Sequence, residues 1–107
     1  VKTAANTVAK IPRETLAEFC RRWNIREVAY FGSVLREDFS PQSDVDVLVT
    51  FAPDADWGLF DHATMQRELS ELLGRDVDLL TRRAVEHSDN WKRRQEILST
   101  AKVVYAA

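Results

Sequence analysis

Phe31-Gly32-Ser33, then ten residues, then Asp44-Val45-Asp46-Val47-Leu48-Val49-Thr50-Phe51, is the stretch that decides the fold. Val28-Ala29-Tyr30-Phe31 reads as a short strand that stops at Gly32. Val45 to Phe51 reads as the strand with the strongest β character in the chain, opened by a turn at Pro41-Gln42-Ser43. Ser33 to about Glu37 can form a short helix whose N-terminus points at whatever sits beside the Gly-Ser turn. On the N-terminal side, Pro12 marks the first turn of a helix to Trp23, with Leu16, Phe19, Cys20 and Trp23 at helical spacing. On the C-terminal side, Pro53 to Trp57 is a polar connection. A helix then runs from Leu59 to Leu73, its apolar stripe drawn from Leu59, Ala63, Leu69, Leu72 and Leu73, with Gly74 as its stop. Asp76-Val77-Asp78-Leu79-Leu80-Thr81 is a third strand, and Arg82 to Asn90 is polar and partly irregular. Trp91 to Thr100 is a last helix, and Val103-Val104-Tyr105 adds a short final strand. The alternation predicts an α+β fold, a small mixed β-sheet with flanking helices.

The 107 residues make one domain, 1–107, with a single core, and the small, polar Val1 to Lys10 is expected to fray. Hydrophobic residues at 45% and charged residues at 30% are an ordinary balance for a globular protein. The formal net charge of −2 provides no global basic field, which argues against a general nucleic-acid binder. Cys20 is the only cysteine, so no internal disulfide forms, and it reads as a small core residue in a reducing compartment. No apolar run approaches the roughly 20 residues of a membrane span, and Val1 to Lys10 lacks the apolar segment of a secretory signal. A cytoplasmic protein without a membrane partner is expected.

Two residues apart in a strand, Asp44 and Asp46 leave the same face. At ~4 Å and an effective dielectric near 20, two carboxylates repel by roughly 4 kcal/mol, a large share of the roughly 5–15 kcal/mol that holds a domain together. A divalent cation turns that repulsion into coordination, and paired carboxylates are the hard oxygen donors that Mg²⁺ prefers. The plainer alternative is that Asp44 caps the turn and Asp46 faces solvent at a strand edge. Asp78 shifts the balance, because a carboxylate inside Val77-Asp78-Leu79-Leu80 is out of place unless paired or metal-bound. If that strand lies beside the Asp44–Asp46 strand, three carboxylates converge. Asp76 shares the face of Asp78 but reads as a solvated residue at the strand's start. Gly32 removes the Cβ that would keep a phosphate off the backbone, and the following helix start presents free N–H groups to an anion, with the Ser33 hydroxyl beside them. A plain strand-to-helix turn is the alternative there.

Gly32-Ser33, ten residues and Asp44-Val45-Asp46 resemble the Gly-Ser-x10-Asp-x-Asp signature of the DNA polymerase β-like nucleotidyltransferase superfamily. The longer string from Phe31 through Arg36, and Ser43 through Val49, resembles its minimal nucleotidyltransferase (MNT) branch. So do Leu72 to Thr81 and the ending from Arg93 to Tyr105, and the likeness covers nearly everything from Ile25 onward. Glu37 stands where some relatives have glycine, a difference that touches the loop and none of the proposed ligands. The resemblance implies the polymerase β-like nucleotidyltransferase fold and transfer of a nucleoside monophosphate from an NTP, with ATP as the expected substrate, to a hydroxyl with loss of pyrophosphate. It implies two Mg²⁺ ions on Asp44, Asp46 and Asp78, and a nucleotide-binding set of Gly32, Ser33, Arg36 and Ser43. For Arg36, a solvated helix arginine is the competing reading.

Arg82, Arg83, Arg93 and Arg94 form either a basic rim for the triphosphate or a partner, or simply a solvated face. His62 and His87 lack metal-ligand spacing and read as surface residues, while Trp23, Trp57 and Trp91 suit core or partner-interface packing. An acceptor-binding domain is not expected within these 107 residues. The MNT resemblance implies that another protein presents the acceptor, namely a HEPN-type helical toxin for which the MNT protein is the antitoxin, with a tyrosine adenylylated in some members. Neutralisation by binding alone, and nucleotidyl transfer to a small molecule, are the two other readings. The sequence leaves base preference, acceptor and oligomeric state open.

Overall fold

The computed structural model describes residues 11–32 and 44–107. The expected fraying of Val1 to Lys10, the short helix after Ser33 and the turn at Pro41-Gln42-Ser43 lie outside the described residues, as do Ser33, Arg36 and Ser43 themselves. The described elements are α1 (Arg13–Arg22), β1 (Ile25–Phe31), β2 (Val45–Phe51), α2 (Leu59–Leu73), β3 (Val77–Thr81), α3 (Arg82–Glu86), α4 (Trp91–Thr100) and β4 (Lys102–Ala106). The strands form one sheet in the order β3-β2-β1-β4. β1 is antiparallel to both β2 and β4, and β2 is parallel to β3, so the sheet is mixed as expected.

Alternation along the strands sorts side chains to two faces. Val45, Val47 and Val49 of β2, with Val77 and Leu79 of β3 and Val28 and Tyr30 of β1, pack against Leu16, Phe19 and Cys20 of α1 and Met65 and Leu69 of α2. On the other face a smaller cluster joins Ala29, Phe31 and Leu48 to Val85 of α3 and Ile97 of α4. The even-numbered residues of β2 and β3 share that second face, which decides where Asp46 and Asp78 lie.

Several boundaries differ from the sequence expectation. Pro12 has an extended ψ of 136° and precedes α1 instead of opening it, its carbonyl accepting from Leu16 N at 3.1 Å. β1 begins at Ile25, three residues early, after Asn24 turns the chain in the left-handed region at φ 54°. The stretch from Arg82, expected to be polar and partly irregular, opens with α3, which Thr81 Oγ1 caps by accepting from Ala84 N at 3.1 Å. The stripe of α2 is also displaced. Leu59 is 82% exposed and Phe60 88%, whereas Met65, absent from the expected stripe, is fully buried beside Leu69.

α2 also covers the outer edge of β3. Gln66 Oε1 accepts from Leu79 N at 3.0 Å, Ser70 Oγ accepts from Val77 N at 3.1 Å, and His62 Nε2 donates to Leu79 O at 2.8 Å. His62 is therefore half-buried and structural, not a surface residue, while His87 is exposed as expected. Trp23 and Trp57 meet edge to face at 5.2 Å, with Trp57 Nε1 donating to Trp23 O at 2.7 Å, and pin the end of α1 to the β2–α2 connection. Trp91 lies outside the core, 57% exposed. None of the described helices is long and apolar enough to cross a membrane.

The core carries a pH signature. Burial pushes the Cys20 thiol up from 9.0 to about 12, a little relieved by Arg21, and pushes the Tyr30 phenol up from 10.0 to about 12. Both protons stay on the folded chain while the unfolded chain releases them, so unfolding becomes progressively easier above the unfolded values. The contribution of these two groups to stability is full below pH 9 and is lost as pH rises from 9 towards 12. Thermal melts are expected to show a falling Tm over that window, with Cys20→Ala removing the earlier part of the fall.

Candidate active site

β2 and β3 place the two strand aspartates side by side, and Asp78 is exposed, so its apolar strand carries it into solvent where the sequence suggested that it must be paired or metal-bound. In the parallel ladder Asp46 stands directly opposite Asp78, and in the antiparallel ladder Phe31 stands opposite Asp46. Neighbouring strands lie about 4.8 Å apart, so Phe31, Asp46 and Asp78 form one row across three strands on the α4 side. Asp44 immediately precedes β2 and is exposed. Val45 N donates to Asp76 O at 2.8 Å, so the extended backbone continues to this point and alternation assigns Asp44 to the side of Asp46. Asp76 is exposed at the start of its strand, as expected.

Asp44, Asp46 and Asp78 share a face but do not converge on one site, contrary to the sequence expectation. Among the described residues, no three His, Cys, Asp or Glu side chains gather closely enough to hold a metal ion by themselves. That arrangement still suits Mg²⁺, which is commonly held by one or two carboxylates with substrate phosphates and water completing its shell. The donors here are carboxylate oxygens alone, the right chemistry for that ion.

Gly32 fixes the geometry around Asp46. Its φ is +74°, a conformation that L side chains rarely adopt. A Cβ at this position would stand 3.2 Å from Asp46 Cγ and would overlap Asp46 Oδ2. The carboxylate occupies the space that the missing side chain leaves, so the glycine is required twice, by its own backbone and by its neighbour.

A cleft of about 350 Å³ opens over this point, lined by Phe31, Gly32 and Asp46 from the sheet and by Arg93, Glu96, Ile97 and Thr100 from α4. The four α4 residues follow helical spacing and share one helix face. Ile97 anchors that face in the core beside Phe31 and Leu48, and Asn90 Oδ1 caps the helix by accepting from Arg93 N at 3.2 Å. Glu96 and Thr100 do not stand out in the sequence, although the same spacing around Ile97 carries the signal. Of the four arginines grouped as a rim, Arg82 pairs with Glu86 at 3.2 Å and Arg94 Nη1 donates to Ser88 O at 2.8 Å. Only Arg93 lines the cleft beside Asp46 among the described residues.

Residues 12–104 match the profile of the nucleotidyltransferase domain family. A protein of Methanocaldococcus jannaschii, provisionally assigned as a protein adenylyltransferase, is 33% identical over 66 residues, which are 62% of this chain and 65% of the relative. The chain thus spans just under two thirds of the length of the first curated relatives it matches. A solved structure provisionally assigned as a minimal nucleotidyltransferase superposes with a TM-score of 0.65 at 31% identity, covering 94% of each chain. A chain from the Shewanella oneidensis complex of a tri-AMPylated HEPN toxin with its MNT antitoxin shares the fold, with a TM-score of 0.61 at 17% identity over 92% of this chain and 73% of that one.

Proposed function

Because the chain belongs to the nucleotidyltransferase domain family, in its minimal branch, we propose that it transfers AMP from ATP to a tyrosine hydroxyl of a HEPN-type toxin and acts as that toxin's antitoxin. The observation that carries this reading is the pairing of Asp46 with Asp78 on one open face, with Gly32 leaving room for the Asp46 carboxylate. Asp46 and Asp78 stand in direct register across neighbouring strands, an arrangement of like charges that a bound cation favours. A phosphoryl-transfer site explains it, since its carboxylates are there to hold cations.

Asp44, Asp46 and Asp78 would hold Mg²⁺, expected as two ions, which when bound lower the nucleophile's pKa and neutralise charge on the phosphates. In the reaction the acceptor oxygen bonds to the α-phosphorus, the bond to the bridging oxygen of the leaving pyrophosphate breaks, and the hydroxyl proton is released. Gly32 lets the phosphates approach the backbone. Ser33 and Ser43 would supply hydroxyls and Arg36 a guanidinium to the same phosphates. The toxin context is supported by the shared fold of the Shewanella oneidensis complex.

Incubating the protein with ATP, Mg²⁺ and its HEPN-type partner is expected to add an adenylate mass to the partner, mapped to tyrosine by peptide mass spectrometry. No mass change on the partner, in the presence of metal and ATP, would remove the proposal. If Asp46→Ala still neutralised the toxin in cells at the wild-type level, contact alone would be sufficient.

A further inference from the structure

We infer that Arg93, from the α4 wall, adds a second guanidinium to the one proposed for Arg36, binds the β- and γ-phosphates of the nucleotide and so favours a triphosphate; the inference rests on the nucleotidyl-transfer reading of the same cleft. Four observations support it. Arg93 and Glu96 face Gly32 and Asp46 across the cleft, and Arg93 is the one cation among the described lining residues. A triphosphate brings several negative charges into a space that already holds the carboxylates of Asp46 and Glu96, so a fixed cation is needed besides any that the carboxylates hold. The Arg93 guanidinium is uncommitted, since among the described residues no carboxylate pairs with it, whereas Arg82 and Arg94 are engaged elsewhere. Its position is also set: the Arg93 backbone N–H is held by Asn90, and Ile97, one turn on, is buried in the core.

Guanidinium chemistry suits the assignment. Its planar fork of donors matches phosphate oxygens two at a time and stays charged at any working pH. Placed on a helix that packs against the sheet, it would meet the phosphates without reorganising a loop. Asp46 and Arg93 line the cleft from the sheet and from α4, so an α-phosphate held at the carboxylate would direct the leaving pyrophosphate portion towards Arg93.

The test is calorimetric titration of the whole protein with Mg²⁺ and either a non-transferable ATP analogue or AMP. Wild type, Arg93→Ala, Arg93→Lys and the control Arg83→Ala are compared, with thermal melts confirming that each is folded. Arg93→Ala is expected to weaken the analogue by about ten- to a hundredfold, the range for a lost charged hydrogen bond, and to leave AMP affinity unchanged. Arg93→Lys should recover part of the loss, since charge returns without the fork, and Arg83→Ala should match wild type. Equal affinity of wild type and Arg93→Ala for the analogue would overturn the role of Arg93 and leave the nucleotidyl-transfer reading intact. An equal loss for the analogue and AMP would also overturn it, because the triphosphate would not be what Arg93 distinguishes. Failure of the wild type to bind the analogue at all would overturn both.

Discussion

Replacing Asp46 with asparagine is expected to reduce AMP transfer by about a thousandfold or more and to remove the rise in Tm that Mg²⁺ with nucleotide gives the wild type. The activity loss follows from the several kcal/mol that metal ligation contributes to a phosphoryl transition state, at a factor of ten for each 1.36 kcal/mol. Mg²⁺ with nucleotide stabilises the wild type by mass action and finds little to bind in the variant. Thermal melts with and without Mg²⁺ and ATP, run beside the transfer assay, check both halves, since the ligand-induced rise in Tm is expected in the wild type alone. An equal rise in the variant would show that Asp46 does not hold the ion.

Gly32→Ala is expected to abolish transfer almost as completely, by another route. At φ +74° an alanine costs roughly 1–3 kcal/mol of backbone strain, and its Cβ displaces the Asp46 carboxylate that occupies the same space. A domain of this size loses roughly 4–8 °C in Tm per kcal/mol, so a fall of roughly 4–24 °C should accompany the loss of activity. Gly74→Ala separates the two causes. Gly74 has φ +68°, but a Cβ added there would meet nothing within 4 Å, so the variant should show comparable strain and keep full transfer. If Gly74→Ala lost activity in step with its Tm, instability would account for Gly32→Ala as well.

The strands that carry the carboxylates are legible in the sequence because Val45 to Phe51 and Val77 to Leu80 are apolar runs of high β propensity, each interrupted by an aspartate. The length of α2 is legible too, since Gly74 ends it in the left-handed region. Its buried face is not. Leu59 looks like core by composition, yet it stands exposed at the first turn, and the unbranched Met65 joins the core instead. α3 is too short for periodicity to reveal, although Thr81 three residues before Ala84 carries its cap. The arginines read as one cluster because sequence proximity cannot distinguish a guanidinium held by Glu86 or Ser88 from one left in a cleft. His62 misleads for a similar reason: a lone polar residue on a helix looks solvated until a strand edge appears beside it.

That strand edge has a consequence for fidelity. β3 is the outermost strand, supported by β2 on one side only, and a shift of one residue along β2 would exchange its two faces. Asp78 would then turn into the core, and Leu79 or Val77 would take its place on the α4 side. His62, Gln66 and Ser70 contact alternate backbone groups of β3 from outside, at spacings that a shifted strand could not satisfy. Three side chains that touch no part of the cleft thereby act as its proofreaders, admitting the one alignment in which both carboxylates share a face.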